Sequence, residues 1–464
     1  MKVLFLVTML IGIIAGLALV SPGVIKSCGH KLHAAVFSYM ASNGLVLGAN
    51  AFSKEEIVAF EQMMEGFQDA LVLSRAATIY NTDSTMMERA SDTIWRPQPY
   101  IAQSFSGTDM TANFKDQTQL SVPATLGFGK SVPWTLTAKQ LRDMLQEQRI
   151  TESAHQKLAS DINVAINNVA TLYGSLVVKR TAAASGFDDV AQCEAIFNEQ
   201  GVAGFDRYLA LSTRDYNGMA KDLANRSTMT GKPTTAYERA YVGTVASFDT
   251  YKMDYGVRQA AAGGGAITLN GANQYYTPKA TSTAATGEVS NVDNRFQTII
   301  VTATAGVAAG DCFTLAAVNA VHHITKQSTG NPKTFRVISV VDGTHLQICP
   351  PIISAGGGTD AEKQYQNVDA TPAANAAITW LNTAAGYLNP FWQKDAIELL
   401  PGRYAVPEDA GVAVLRASTD QGIEVVLQKF YDINTMVTKY RADALFGTVN
   451  KQPEMSGVML FSQV

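Results

Sequence analysis

A β-patterned island in the middle of the chain constrains the fold more than any other feature. It runs from about Ala266 to Pro350 and is clearest from Asn291 onward. There NVDNRFQTIIVTATAGVAAGDCFTLAAV and FRVISVVDGTHLQICP set apolar strands between polar turns. Asp342-Gly343 is the strongest hairpin signal, joining a strand over Thr334–Val341 to one over Thr344–Cys349. Strands are also expected over Ala266–Leu269, Phe296–Thr304 and Cys312–Val318. Helical patterns precede the island and mixed ones follow it. A strand-rich unit set into a different kind of chain reads as an inserted domain, a small antiparallel barrel or sandwich.

Helical signals dominate the first half. Ser53 with Glu56 three residues on forms a capping box ahead of Ile57, Phe60, Met64, Phe67 and Leu71. This predicts a helix ending near Arg75 to Tyr80. Thr137–Leu145 and Thr151–Val178 predict a second helical run, of about 25–30 residues, with Leu158, Ile162, Ile166, Val169, Leu172 and Leu176 on its apolar face. Two prolines in DTIWRPQPY hold residues 92–100 extended. The polar stretch Gly107–Val132 is expected to form a long hairpin or loop. Further helices are expected over Phe187–Phe197 and Tyr216–Leu223, and a strand over Arg207–Leu211. Later, Ala373–Leu381 reads as a short helix, Asn389–Trp392 as a turn and Arg441–Gly447 as a turn into a strand.

Chemistry is sparse. Gly263-Gly264-Gly265 lacks the spacing of a phosphate loop. His155 has no ligand partner one turn on, and the adjacent His322 and His323 are poor metal evidence. Cys28, Cys193, Cys312 and Cys349 form no CxxC pair. Buried reduced thiols are expected, with a Cys312–Cys349 disulfide as the alternative. The net charge is −4 and no Lys/Arg block stands out, which argues against direct nucleic-acid reading. Only 16% of residues are charged, a low value that suits a surface largely converted to interface. No catalytic residue, cofactor or metal is expected.

Met1–Val20 carries one lysine ahead of an apolar run, as a signal peptide or membrane anchor does. Met40 opens a polar lead into the first helix. Translation is therefore expected to start at Met40, with residues 1–39 an upstream-start artefact. A secretion signal and a genuine extension are the alternatives, and intact mass separates them.

Five runs resemble the major capsid (coat) proteins of P22-like bacteriophages. They are ASDTIWRPQ (Ala90–Gln98), SNVDNRFQTIIVTATAG (Ser290–Gly306), FRVISVVDGTHLQICP (Phe335–Pro350), AEKQYQNVD (Ala361–Asp369) and NPFWQKDAIELLP (Asn389–Pro401). They fall in the family's order, and the resemblance spans Met40 to about Gly447. It implies an α+β chain with the HK97-like capsid fold and an inserted antiparallel β-barrel domain. The domains it implies are an N-terminal arm and helix over 40–106 and an extended loop over 107–133. A peripheral domain with a spine helix and the first part of an axial domain follow over 134–240, then the inserted barrel over 241–364. Residues 365–464 return to the axial and peripheral domains and end in a tail.

The resemblance further implies a structural protein of the virion capsid, assembled in the host cytoplasm. Hexamers and pentamers of the chain would build an icosahedral procapsid with a scaffolding protein. A portal protein would occupy one vertex. Double-stranded DNA would be packaged inside without sequence-specific binding, and no membrane would be involved. Trp95, Arg96, Asp109, Lys115 and Asp116 are then candidates for intersubunit contacts. Asp293, Arg295, Asp342 and His345 are candidates for contacts of the inserted domain. Each has local packing or a solvated surface as its plain alternative. An enzyme with a β-insert and a secreted or membrane-attached surface protein are the competing functional readings.

Overall fold

The computed structural model describes residues 52–80, 93–99, 101–111, 114–115, 117–140, 144–224, 239, 242–406 and 412–464. Residues 1–39, including Met1–Val20 and Cys28, lie outside the described residues.

The first helix, α1, spans Lys54–Ala70 and starts at the capping box seen in the sequence. The Glu56 N–H donates to Ser53 Oγ at 3.2 Å, and the Ser53 N–H donates back to Glu56 Oε2 at 2.7 Å. Glu56 also accepts from Tyr440 Oη at 2.5 Å and pairs with Lys429 Nζ at 2.7 Å. One carboxylate thus starts the helix and pins it to a sheet. Glu56→Ala is expected to cost about 2–3 kcal/mol, a lost cap plus a lost buried anchor, read as a lower urea midpoint.

α1 stops at Ala70, before the expected Arg75–Tyr80. Asn163 of the second helix ends it: its Nδ2 donates to Ala70 O at 3.0 Å and its Oδ1 accepts from Leu73 N at 3.2 Å. The chain then makes a 3₁₀ turn over Leu73–Ala76.

The second helix, α2, spans Met144–Tyr173, 30 residues and about 45 Å at 1.5 Å per residue. It ends earlier than Val178. Gly174 breaks it, and Leu176–Lys179 becomes a strand. A side chain at Gly174 would strike Ala170 O at 2.8 Å and Gly457 Cα at 3.0 Å, so the break is also a close backbone approach. Of the stretch Thr137–Leu145, expected as helical, Thr137 instead closes a strand, Phe128–Thr137, and residues 138–140 make a turn.

α1 and α2 pack on a sheet ordered Thr78–Ile79, Ile397–Pro401, Val437–Asn450, Glu424–Asp432, Ala413–Ser418. Phe128–Thr137 also pairs with Val437–Phe446. Phe60, Phe67, Leu158, Ile162, Ile166 and Phe446 meet in its core. Arg441–Gly447 is no turn: Thr438, Tyr440, Ala442, Ala444 and Phe446 alternate inward along one unbroken strand.

A second, mixed sheet runs Leu176–Lys179, Ser456–Leu460, Asn389–Gln393, Arg207–Ser212, Phe248–Met253, Thr244–Val245. The helices Phe187–Gln200 (α3) and Thr213–Ala224 (α4) contribute to its core. Asn389–Gln393, expected as a turn, is a buried inner strand of this sheet. Phe391 and Trp392 bury opposite faces, in different core clusters, and that burial outweighs the turn signal of Asn-Pro.

The island forms a five-stranded antiparallel sheet ordered Gln297–Ile300, His345–Cys349, Ser328–Val340, Cys312–Val321, Ile378–Trp380. It is a curled, open half-barrel. Ile299, Phe313, Phe335, Val337, Leu346 and Ile348 fill its concave side. Ile378–Trp380 is a strand where a helix was expected. Ile378 and Trp380 meet the Phe313 side of the core while Thr379 between them is exposed, a period of two. The 267–270 segment hydrogen-bonds to both edges of the sheet. Leu269 N donates to Ala376 O and Ile378 N to Ile267 O, each at 3.0 Å; Asn270 N donates to Ile300 O and Thr302 N to Thr268 O, each at 2.9 Å.

Candidate assembly surfaces

The convex face of the island sheet is buried against the second sheet. Cys312 packs with Val177, Leu388, Val458 and Leu460. Polar bonds also tie the island to the rest of the chain. Thr334 Oγ1 donates to Ser175 O at 2.8 Å, Arg295 Nη1 to Asn450 O at 2.9 Å and His323 N to Gln200 O at 3.2 Å. Cys312, Arg336 and Cys349 lie directly opposite one another on three neighbouring strands. One strand therefore separates the two cysteines, about 9–10 Å at normal strand spacing, which is beyond disulfide reach. Cys193, Cys312 and Cys349 are free and buried. Burial pushes the Cys312 thiol up and the Cys349 thiol up to about 12.

A charged centre holds the seam. Lys333 Nζ lies 2.5 Å from Glu454 Oε1, Asn367 Nδ2 donates to the same oxygen at 3.1 Å, and His323 Nε2 stands 3.6 Å from Oε2. Lys333 is fully buried and the Glu454 side chain is 16% exposed. Burial opposes charge on Glu454, yet Lys333 and His323 pull its carboxyl down to about 2. Burial drives His323 down to about 4 and Lys326 down to about 8, against the pull of Glu454 on both. A cavity of about 50 Å³ adjoins this centre, lined by Gln98, Arg295, His323 and Asn367 together with Ile101, Leu120 and Ile353.

The strands Thr93–Pro97 and Ser121–Thr125 form an antiparallel hairpin. A parallel bridge from Ser121 to Asp293 ties it to the island. Between them the chain lies on the short helix Asp360–Tyr365, where Tyr365 Oη donates to Thr118 O at 2.8 Å.

The residues singled out from sequence fall into three places. On the hairpin, Trp95 sits half-buried opposite Pro123. Arg96 donates to the buried Glu398 at 2.8 Å and lies 3.6 Å over the Tyr80 ring. In the connecting segment, exposed Asp109 accepts from Thr111 N at 3.0 Å, and the bonds to Thr111 hold its carboxyl below the usual range. Lys115 pairs with Asp360 at 2.8 Å, with side chains 47% and 43% exposed. Asp116 lies outside the described residues. On the island, Arg295 Nη2 meets Asp293 at 2.6 Å. His345 Nδ1 lies 2.8 Å from Asp342, whose carboxyl is drawn down to about 2 by the Thr344 N–H and His345. Arg96, Lys115, Arg295 and His345 each have an acidic partner within the chain.

Sequence reasoning missed Lys333, Arg336 and Glu454. Along a strand, alternation shows which side chains share a face, but not whether that face meets water or protein. Among the described residues no group of three or more His, Cys, Asp or Glu could hold a metal ion, and no helix is long and apolar enough to cross a membrane. Exposed apolar side chains are conspicuous instead, with Phe114 at 84% and Ile433 at 78% exposure.

The family model described as "P22 coat protein - gene protein 5" matches residues 48–462. The chain belongs to the P22 coat protein family. It is a bacteriophage capsid protein, a structural component of the virion. Three solved structures are similar to this coat protein. A chain from Mycobacterium phage Che8 is 8% identical, with 84% of this chain and 90% of that chain covered and a TM-score of 0.40. The CUS-3 coat protein I-domain is 43% identical, with 25% and 96% covered and a TM-score of 0.21. The capsid of Cyanophage P-SCSP1u is 9% identical, with 91% and 92% covered and a TM-score of 0.39. At these TM-scores the assignment rests on the family match alone. A coat protein needs surfaces for other copies of itself, and the exposed Phe114 and Ile433 are available for that use.

Proposed function

We propose that this coat protein self-assembles with a scaffolding protein into an icosahedral procapsid and matures around packaged double-stranded DNA. Hexamers and pentamers of the chain form the shell, and a portal protein takes one vertex. Assembly belongs in the host cytoplasm. The family match over 48–462 carries the reading. Many weak contacts, multiplied by copy number, supply the stability of such a shell.

In this reading the HK97-like fold is divided as the sequence runs suggest, with an inserted barrel over 241–364. Support for closure comes from the 267–270 segment, whose hydrogen bonds to both sheet edges would make it a sixth stave. The inserted unit is then a rigid body seated on the axial part through the Lys333–Glu454 seam.

Co-expression with a scaffolding partner, followed by negative-stain microscopy, is expected to show closed shells. Monomers and small oligomers alone would overturn the reading. Lys115→Ala tests the extended segment. Its exposed pair with Asp360 adds about 0–1 kcal/mol to the subunit, so the monomer should unfold normally while shell yield in sedimentation falls. Normal shells would remove Lys115 from the contact surface.

A further inference from the structure

Arg336 stands mid-strand at the seam between the curled sheet and the second sheet. It is fully buried, and its Nε, Nη1 and Nη2 have no hydrogen-bond partner. Its strand neighbours in register are Cys312 and Cys349. Burial raises both thiols, so neither offers a thiolate to a guanidinium. Two nearby carboxylates are engaged elsewhere. Asp311, next to Cys312, accepts from Asn382 Nδ2 at 2.9 Å, Gln259 Nε2 at 3.2 Å and Ala308 N at 2.8 Å. Glu454 is held by Lys333 and Asn367. Lys333 and Arg336 are both fully buried; Glu454 pairs with the first, and no carboxylate hydrogen-bonds the second.

A buried charge without a partner loses its hydration and regains little, so apolar replacement of such groups often stabilises a protein. The surrounding contacts are otherwise favourable: the Cys312, Val177, Val458 and Leu460 packing, and the Thr334–Ser175 hydrogen bond. We infer that Arg336 is a built-in opposing charge, which keeps the inserted unit loosely seated on the body so that the seam can re-seat when the subunit changes shape. The link to shape change rests on the proposed shell function. The opposition itself belongs to the isolated subunit.

The test is Arg336→Met, which keeps the unbranched length, and Arg336→Gln, which keeps polarity without charge. Both are measured as monomers by thermal unfolding and by amide exchange across Leu176–Lys179 and Cys312–Cys349. The expected result is a melting temperature raised by about 3 °C and exchange at the seam slowed about tenfold. Shells assembled from Arg336→Met should then need more heat to change diameter. A lower melting temperature in both variants overturns the inference, because the guanidinium would then be holding the seam. A stabilised monomer with an unchanged shell transition overturns the link to shape change and leaves the assembly reading untouched.

Discussion

Glu454→Gln is expected to destabilise the subunit by about 3–5 kcal/mol, because it strands a buried charge. Lys333 is fully buried, and Glu454 is its carboxylate at 2.5 Å. The glutamine oxygen can still accept from Asn367, so the substitution removes the charge that Lys333 faces and keeps the acceptor. The exposed Lys115–Asp360 pair, at 2.8 Å, is the contrast, and exposed pairs contribute about 0–1 kcal/mol. The double variant Glu454→Leu with Lys333→Met removes both charges and should recover most of the loss, since the pair's cost lies in its desolvation. Urea unfolding of the three proteins gives the comparison. A single variant that costs under about 1 kcal/mol would mean that water reaches Lys333 and that the seam is not dry.

The same centre sets the acid response, and the two shifts act in one direction. Glu454 is lowered from 4.5 to about 2, so its contribution is complete above pH 4.5 and is lost as the pH falls towards 2. His323 is lowered from 6.5 to about 4. Between those values the unfolded chain binds a proton that the folded chain refuses, so stability also falls as the pH drops from 6.5 to 4. Glu454→Gln should flatten the lower window and His323→Asn the upper one. Lys326, lowered to about 8, is neutralised in the fold before it is in the unfolded chain. It adds stability as the pH rises through 8 towards 10.5.

What the sequence made legible was local or familial. Ser53 and Glu56 lie three residues apart, so the capping box could be read without knowing the fold. Asp342-Gly343 likewise specified its hairpin, and Asp342 Oδ1 accepts from Thr344 N at 2.7 Å and His345 N at 2.9 Å. The five dispersed runs carried the family. The errors arose where distant chain decides local structure. α1 ends at an asparagine 93 residues away from Ala70. Thr334 and Arg336 sit on one face of a strand that looks solvent-facing until the rest of the chain covers it. The candidate contact residues were chosen for charge and aromaticity, and a single chain already gives Arg96 and Arg295 acidic partners. Surfaces between copies are a property of two chains, and neither strand periodicity nor one subunit's packing encodes which copy meets which.

Trp392→Ala is expected to cost about 3–5 kcal/mol, the cost of emptying a large core site. Asn-Pro-Phe-Trp reads locally as a turn, yet Trp392 is fully buried in an inner strand, in register with Ser456 on one side and Tyr208 on the other. Its Nε1 donates to Ala76 O at 2.9 Å, which fixes the 3₁₀ turn that follows α1. It belongs to the same core cluster as Phe67 of α1, Leu158 of α2 and Leu399 of the first sheet. One indole therefore joins both sheets to both long helices. Trp392→Phe keeps much of the volume and removes the donor, so it should cost less, about 1–2 kcal/mol, with exchange at the 3₁₀ turn rising before exchange elsewhere. Trp392→Ala should raise exchange in α1, α2 and both sheets together, because all four lean on the site. Fast exchange confined to Asn389–Gln393 would show instead that the two sheets hold their places without this joint, and that α2 is seated by Asn163 and its apolar face alone.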